Sequence, residues 1–254
     1  MNWILLRGLT REARHWEKLP QLLACVVCPA GLAGVDQVVA LDLPGNGKFA
    51  AQASPWSVRD MVEFLRQQLL ARACQPPYSL LAMSLGGMVA ADWAQRYPRE
   101  IARLVLINTS LRAFSSVSQR LRPGSWLRLA LLAARWGEAE PAERLIHQLT
   151  CRRLSFQNED LASWLSIRKD RPVSAANAGR QLWAAARFSG ARKPDCPTLV
   201  LSSSGDQLVH PRCSASLAHA WQAPYHAHPW AGHDLAHDDA AWLCQRIAVW
   251  LDKV

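Results

Sequence analysis

No stretch of this chain stays apolar for the roughly 18 residues that a membrane-spanning helix requires, so no span is expected. The first apolar run, Trp3-Ile4-Leu5-Leu6, is ended by Arg7 and is too short for the core of a secretory signal. Cysteine is sparse and odd in number, seven residues with no dense framework, which argues against a disulfide-stapled fold and for reduced thiols in the cytoplasm. Cys25-Val26-Val27-Cys28 lacks the second pair that a zinc site needs and holds two β-branched residues, so it reads as apolar core. No metal or cofactor is expected. Internal repeats and low-complexity tracts are absent, and only 19% of the residues are charged. With 50% apolar residues in 254, a disordered chain is excluded and one well-buried domain is implied.

Lysine is also scarce, because 24 of the 29 basic residues are arginine. Arginine favours planar, bidentate contact with anions, although a codon preference gives the same count. The net charge of +9 raises the question of nucleic acid, but no recognised binding motif accompanies it. The charge is concentrated. Residues 111–190 hold thirteen positive and six negative side chains, a net of +7, which leaves +2 for all the rest.

Apolar segments at Trp3–Leu6, Gln37–Asp42, Tyr78–Met83, Leu104–Asn108, Thr198–Ser202 and Tyr225–His228 read as buried strands. Helical patterns stand between them, at Ala13–Ala24, from an N-cap at Ser57 through Arg72, from Ser84 to Tyr97, at Pro211–Ala220 and at Asp238–Leu251. Such alternation predicts an α/β fold, a mostly parallel sheet of about six strands flanked by helices. Residues 111–190 interrupt it with helical, Arg-rich sequence. They are expected to form a helical cap inserted in a core made of residues 1–110 and 191–254.

The chemistry is carried by three loops. Ala82-Met83-Ser84-Leu85-Gly86-Gly87 joins a strand to a helix, with small residues two positions either side of Ser84. That is the sequence of a nucleophile elbow. A serine hydroxyl needs a base to take its proton, and the base needs an orienting acid. Ser204-Gly205-Asp206 follows the fifth strand and Ala231-Gly232-His233 the sixth, so Ser84, Asp206 and His233 come in triad order. Together with Leu41-Asp42-Leu43-Pro44-Gly45-Asn46-Gly47, these motifs resemble the α/β-hydrolase superfamily over nearly the whole chain. The chain resembles small carboxylesterases of that superfamily, such as the pimeloyl-acyl-carrier-protein methyl ester esterase.

The resemblance implies a serine hydrolase acting on a small-molecule ester or thioester through an acyl-enzyme. Ser84 is the implied nucleophile, His233 the base and Asp206 its orienting acid, with the backbone N–H groups of Leu9 and Leu85 as oxyanion donors. It also suggests that an acidic acyl carrier protein is steered by the cap arginines Arg122, Arg128, Arg135, Arg152 and Arg153. A solvated basic face is the plainer reading of those five. Where the family has His-Gly after the first strand this chain has Arg7-Gly8, and Arg7 either senses a substrate anion or is satisfied by a nearby carboxylate. Asp234 reads as a solvated loop residue, and Trp126, Trp136, Trp164 and Trp183 either pack the cap or line its pocket. Two other functions fit the same residues: proton abstraction and elimination, as in the menaquinone-pathway synthase, and a pseudo-hydrolase that binds without catalysis.

Overall fold

The computed structural model describes residues 2–27, 38–153, 155 and 157–254. Gln37, expected at the start of a strand, and Cys28 lie outside the described residues, and Cys25, expected in the apolar core, is exposed. Six strands, β1 (Asn2–Leu6), β2 (Val38–Leu41), β3 (Tyr78–Met83), β4 (Ile101–Ile107), β5 (Thr198–Ser203) and β6 (Tyr225–His228), form one sheet in the order β2-β1-β3-β4-β5-β6. Every neighbouring pair is parallel. The expected α/β architecture is therefore present.

Both faces are covered, which is why the strands read as continuous apolar runs instead of alternating ones. Ile4, Leu6, Leu80, Leu104 and Leu106 pack on one face under α2 (Val58–Ala71), α3 (Leu85–Arg96) and α9 (Arg212–Trp221). Trp3, Leu5, Leu81, Val105 and Leu199 pack on the other under α1 (Leu19–Val27) and α11 (Ala240–Leu251). The start of α2 follows its sequence signal, since Ser57 Oγ accepts from the Asp60 N–H at 3.1 Å.

Three expected boundaries are corrected. The helix expected over Ala13–Ala24 is two pieces, a short 3₁₀ turn at Ala13–Trp16 and then α1. Glu17 separates them at φ 50°, a left-handed conformation that no helix continues through. The final helix, α11, starts at Ala240 rather than Asp238, because Asp239 takes φ −154° and caps it by accepting from the Trp242 N–H, and a short α10 (Leu235–Asp238) precedes it. Strand β4 begins at Ile101 rather than Leu104, as Ile101 pairs with Tyr78.

Between β4 and β5 the described residues hold α4 (Val117–Arg120), α5 (Trp126–Ala134), α6 (Ala139–Thr150), α7 (Gln157–Asp170) and α8 (Ala175–Arg187), and no strand. Ile146, Cys151 and Trp164 form a small core of their own, whereas Ala184 and Ala185 of α8 join the core over the sheet. Among the described residues no helix is long and apolar enough to cross a membrane.

Candidate active site

The parallel register aligns Leu6 with Ala82 and Ala82 with Leu106, so the strands β1, β3 and β4 end at one level. The loops that leave this edge hold Arg7, Ser84 and Asn108, and those after β5 and β6 bring Asp206 and His233. In parallel sheets this carboxyl edge is where ligands bind.

Ser84 stands between β3 and α3 at φ 55°, a strained position for a residue with a side chain. Gly86 permits that turn, because a Cβ there would run into the carbonyl oxygens of Leu6 and Arg7 on the neighbouring strand. Gly8 is similarly close, with a Cβ position only 3.1 Å from that of Ser84. Leu85 opens α3, so its N–H is among the first of a helix, which find no acceptor within it.

Asp206 is held from two sides. Its Oδ1 accepts from the N–H groups of Leu208 and Val209 at 2.8 and 2.9 Å, and its Oδ2 lies 2.6 Å from His233 Nδ1. His233 is buried, and burial disfavours its charged form, but the Asp206 charge and hydrogen bond outweigh that and raise the imidazole above its ordinary value. Ser84 and His233 line a single cavity of about 100 Å³ together with Leu9. The structure therefore brings together Ser84, His233 and Leu9 at the cavity and sets Asp206 behind the histidine.

The histidine loop is anchored by contacts that the sequence did not signal. Asn108 Nδ2 donates to the His233 carbonyl at 2.7 Å and to Ser203 Oγ at 3.0 Å, while its Oδ1 accepts from the Ser203 N–H. The side chain thus joins the ends of β4 and β5 to the histidine. Asp238 accepts from the N–H groups of Gly232, Arg152 and Arg153, tying the same loop to the end of α6.

Asp234 is corrected outright. Far from being solvated, it is buried and takes both terminal nitrogens of Arg7, at 3.0 Å and 2.5 Å. Burial alone would raise its carboxyl, but the Arg7 guanidinium holds it well below the usual carboxylate range. Arg7 also sits 4.8 Å from the centre of the Trp16 ring. It lines the cavity, yet its pairing fits the satisfied-arginine alternative and not anion sensing.

The arginines Arg122, Arg128, Arg135, Arg152 and Arg153 of residues 111–190 divide. Arg122 Nη1 donates to the Asp206 carbonyl and Arg152 Nε to the Gly205 carbonyl, so both turn inward and brace the acid loop. Arg153 donates its backbone N–H to Asp238. Only Arg128 and Arg135 of the five are exposed, Arg128 near Gln207 and Arg135 paired with Glu138. Of the tryptophans, Trp164 is fully buried, Trp136 lines the cavity, and Trp126 and Trp183 are half exposed. Two other histidines, on β6, stand apart from the site: His226 is exposed, and His228 is buried against Asp239.

A second polar cluster lies beside the site. His237 Nδ1 faces Glu17 at 3.0 Å and its Nε2 faces Asp160 at 2.9 Å, with His147 Nε2 3.2 Å from the same Asp160 oxygen. His147, Cys151 and His237 could offer three metal-binding atoms within 4.8 Å of one another. Both ring nitrogens of His237 are committed to carboxylates, however. The group is built as a buried ion-pair cluster joining α7 to the segment before α1.

Comparison with known proteins agrees with this fold. A family model described as the alpha/beta hydrolase fold matches residues 4–240. A protein of Escherichia coli O81 strain ED1a, named as a carbamate hydrolase, RutD, is 27% identical over 219 residues, covering 84% of this chain and 77% of that one. The biotin biosynthesis bifunctional protein BioHC of Teredinibacter turnerae is 33% identical over 108 residues, which is 42% of this chain and 17% of that longer protein. A thermophilic esterase from Thermogutta terrifontis superimposes with a TM-score of 0.75 at 20% identity, over 100% of this chain and 90% of its own. With the family model spanning nearly all of its length, this chain belongs to the α/β hydrolase fold family.

Proposed function

We propose that the protein is a cytoplasmic serine hydrolase that cleaves a carboxylic ester or thioester through an acyl-enzyme on Ser84. The observation that carries this reading is the 2.6 Å contact between Asp206 and His233, with His233 opening onto the same cavity as Ser84. In this mechanism His233 takes the Ser84 proton as Oγ attacks the carbonyl carbon, and Asp206 offsets the charge that develops on the ring. The Leu85 and Leu9 N–H groups receive the oxyanion. Collapse of the tetrahedral intermediate expels the alcohol or thiol with the proton from His233. A water then repeats the sequence and frees the acid.

Residues 111–190 serve in this reading as the cap, closing the cavity from above with Leu129, Leu132 and Trp136. A carbamate presents the same carbonyl to the serine, and the relative named as a carbamate hydrolase makes it the second substrate class to assay. If an acidic acyl carrier protein delivers the substrate, the exposed Arg128 and Arg135 are the residues that meet it. Reversing both charges should then slow carrier-bound esters and leave a free ester unaffected.

The reading is tested by steady-state hydrolysis of short 4-nitrophenyl esters. Ser84→Ala or His233→Ala should lower kcat by about 10³-fold or more. A Ser84→Ala protein as active as the wild type would overturn the proposal.

A further inference from the structure

The cavity beside Ser84 is small and carries an arginine whose bonding is incomplete. Arg11 lines it and is 7% exposed. Its Nη1 donates to Glu143 Oε2 at 2.7 Å, but Nη2 is buried with no hydrogen-bond partner. The reason lies in the stoichiometry of the ion pairs. Glu143 also accepts from Arg168 at 2.9 Å on its other oxygen, so one carboxylate serves two guanidiniums. Arg7, the other arginine of the cavity wall, pairs both terminal nitrogens with Asp234, which also accepts from the His237 N–H, and leaves only its Nε without a partner.

Arg11 is held firmly in place. Its carbonyl accepts from Asn46 Nδ2 at 2.8 Å, and its guanidinium lies 4.2 Å from the centre of the Trp164 ring. Stacking uses the face of the group and leaves the edge donors for an acceptor in the guanidinium plane. A buried guanidinium N–H without an acceptor is costly, and a ligand oxygen removes that cost.

We propose, resting on the hydrolase reading of Ser84, that Arg11 is the anion-recognition residue of this cavity and that the acyl group it accepts is short and ends in a carboxylate. Size sets the length. At about 100 Å³ the cavity is smaller than the apolar cavity of ~150 Å³ that admits benzene, which favours a short acyl chain. The rest of the wall agrees, because Leu9, Leu132, Trp136 and Ile146 suit methylene groups between the reacting carbonyl and the carboxylate.

The test compares monomethyl succinate with methyl butyrate, two esters of equal acyl length, by proton release. Wild type should favour the succinate ester in kcat/KM by about tenfold or more, the scale of one charge-assisted hydrogen bond. In Arg11→Met that ratio should fall to about one. Glu143 keeps Arg168 in this variant, so no carboxylate is orphaned. A purely structural role would lower both rates together and leave the ratio intact, which would overturn the proposal, as would a wild-type ratio of one or less. Should Arg11→Met fail to fold, Arg11→Lys replaces it: the planar fork is lost, and the ratio should again fall by severalfold. Hydrolysis of neither ester would count against the hydrolase reading instead. Calorimetry with succinate then decides the Arg11 site, where binding to wild type but not to the variant supports it and no binding to wild type overturns it.

Discussion

Arg7 and Asp234 form a buried, bidentate ion pair across 227 positions of sequence, joining the strand end before Gly8 to the residue beside His233. Removing one partner leaves a charge stranded in the core, whereas removing both does not. Arg7→Leu should therefore cost about 3–5 kcal/mol in urea unfolding. The double variant Arg7→Leu/Asp234→Leu should lose less than the sum of the two single variants. Additive losses would show that the pair is not coupled.

Asn108 should act on the rate of the chemical step rather than on binding. Its φ of 48° is tolerated by glycine, so Asn108→Gly removes the side-chain bonds to His233 and Ser203 without straining the backbone. A histidine freed to move by a fraction of an ångström should lower kcat by about 10- to 100-fold, with KM within about twofold. Counting active sites by fluorophosphonate titration separates this from a loss of folded protein, which would lower the active fraction and leave kcat per active site unchanged.

The pH profile follows from the acid beside the base. Asp206 raises the His233 value, so kcat/KM should climb with pH as His233 loses its proton, with a midpoint above the ordinary ~6.5 of imidazole. Asp206→Asn removes the raising charge while burial continues to lower the value. The acid limb should then move to lower pH even as the maximal rate falls. A limb that stays in place would assign the titration to another group.

His237 predicts a pH-dependent stability. Burial disfavours its charge, but Glu17, Asp234 and Asp160 prevail and lift it to about 9. A group raised in the folded state stabilises fully below its unfolded value near 6.5, and that contribution fades as pH rises through about 9. Wild type should lose stability between these limits, on the order of 2–3 kcal/mol. His237→Gln should show a much flatter dependence there. Equal slopes by denaturant titration at pH 6.5 and 9.5 would refute the assignment.

The sheet and the elbow were legible because both rest on local pattern. The apolar runs of β1, β3, β4 and β5, largely buried on two faces, announce parallel strands, and the glycine at position 86 is demanded by the adjacent Leu6 and Arg7 carbonyls. Asp206 and His233 were legible from their places after successive strands. Asp234 was not, since nothing near it in sequence reveals that Arg7 lies alongside in space. The same holds for Glu143, whose shared role between Arg11 and Arg168 joins three distant segments. The helix break at Glu17 escaped notice too, because Glu17 adopts a non-helical angle without any proline or glycine signal. The basic segment was counted correctly but its charge was taken as surface, whereas Arg122 and Arg152 turn inward to carbonyls of the acid loop.

The central claim is that Ser84 is the nucleophile, and covalent capture tests it most directly. Wild-type protein incubated with a fluorophosphonate should gain one probe mass per chain, mapped by peptide mass spectrometry to Ser84. Ser84→Ala should gain none, and His233→Ala should react far more slowly. An adduct on any other residue, or labelling that persists in Ser84→Ala, would contradict the account.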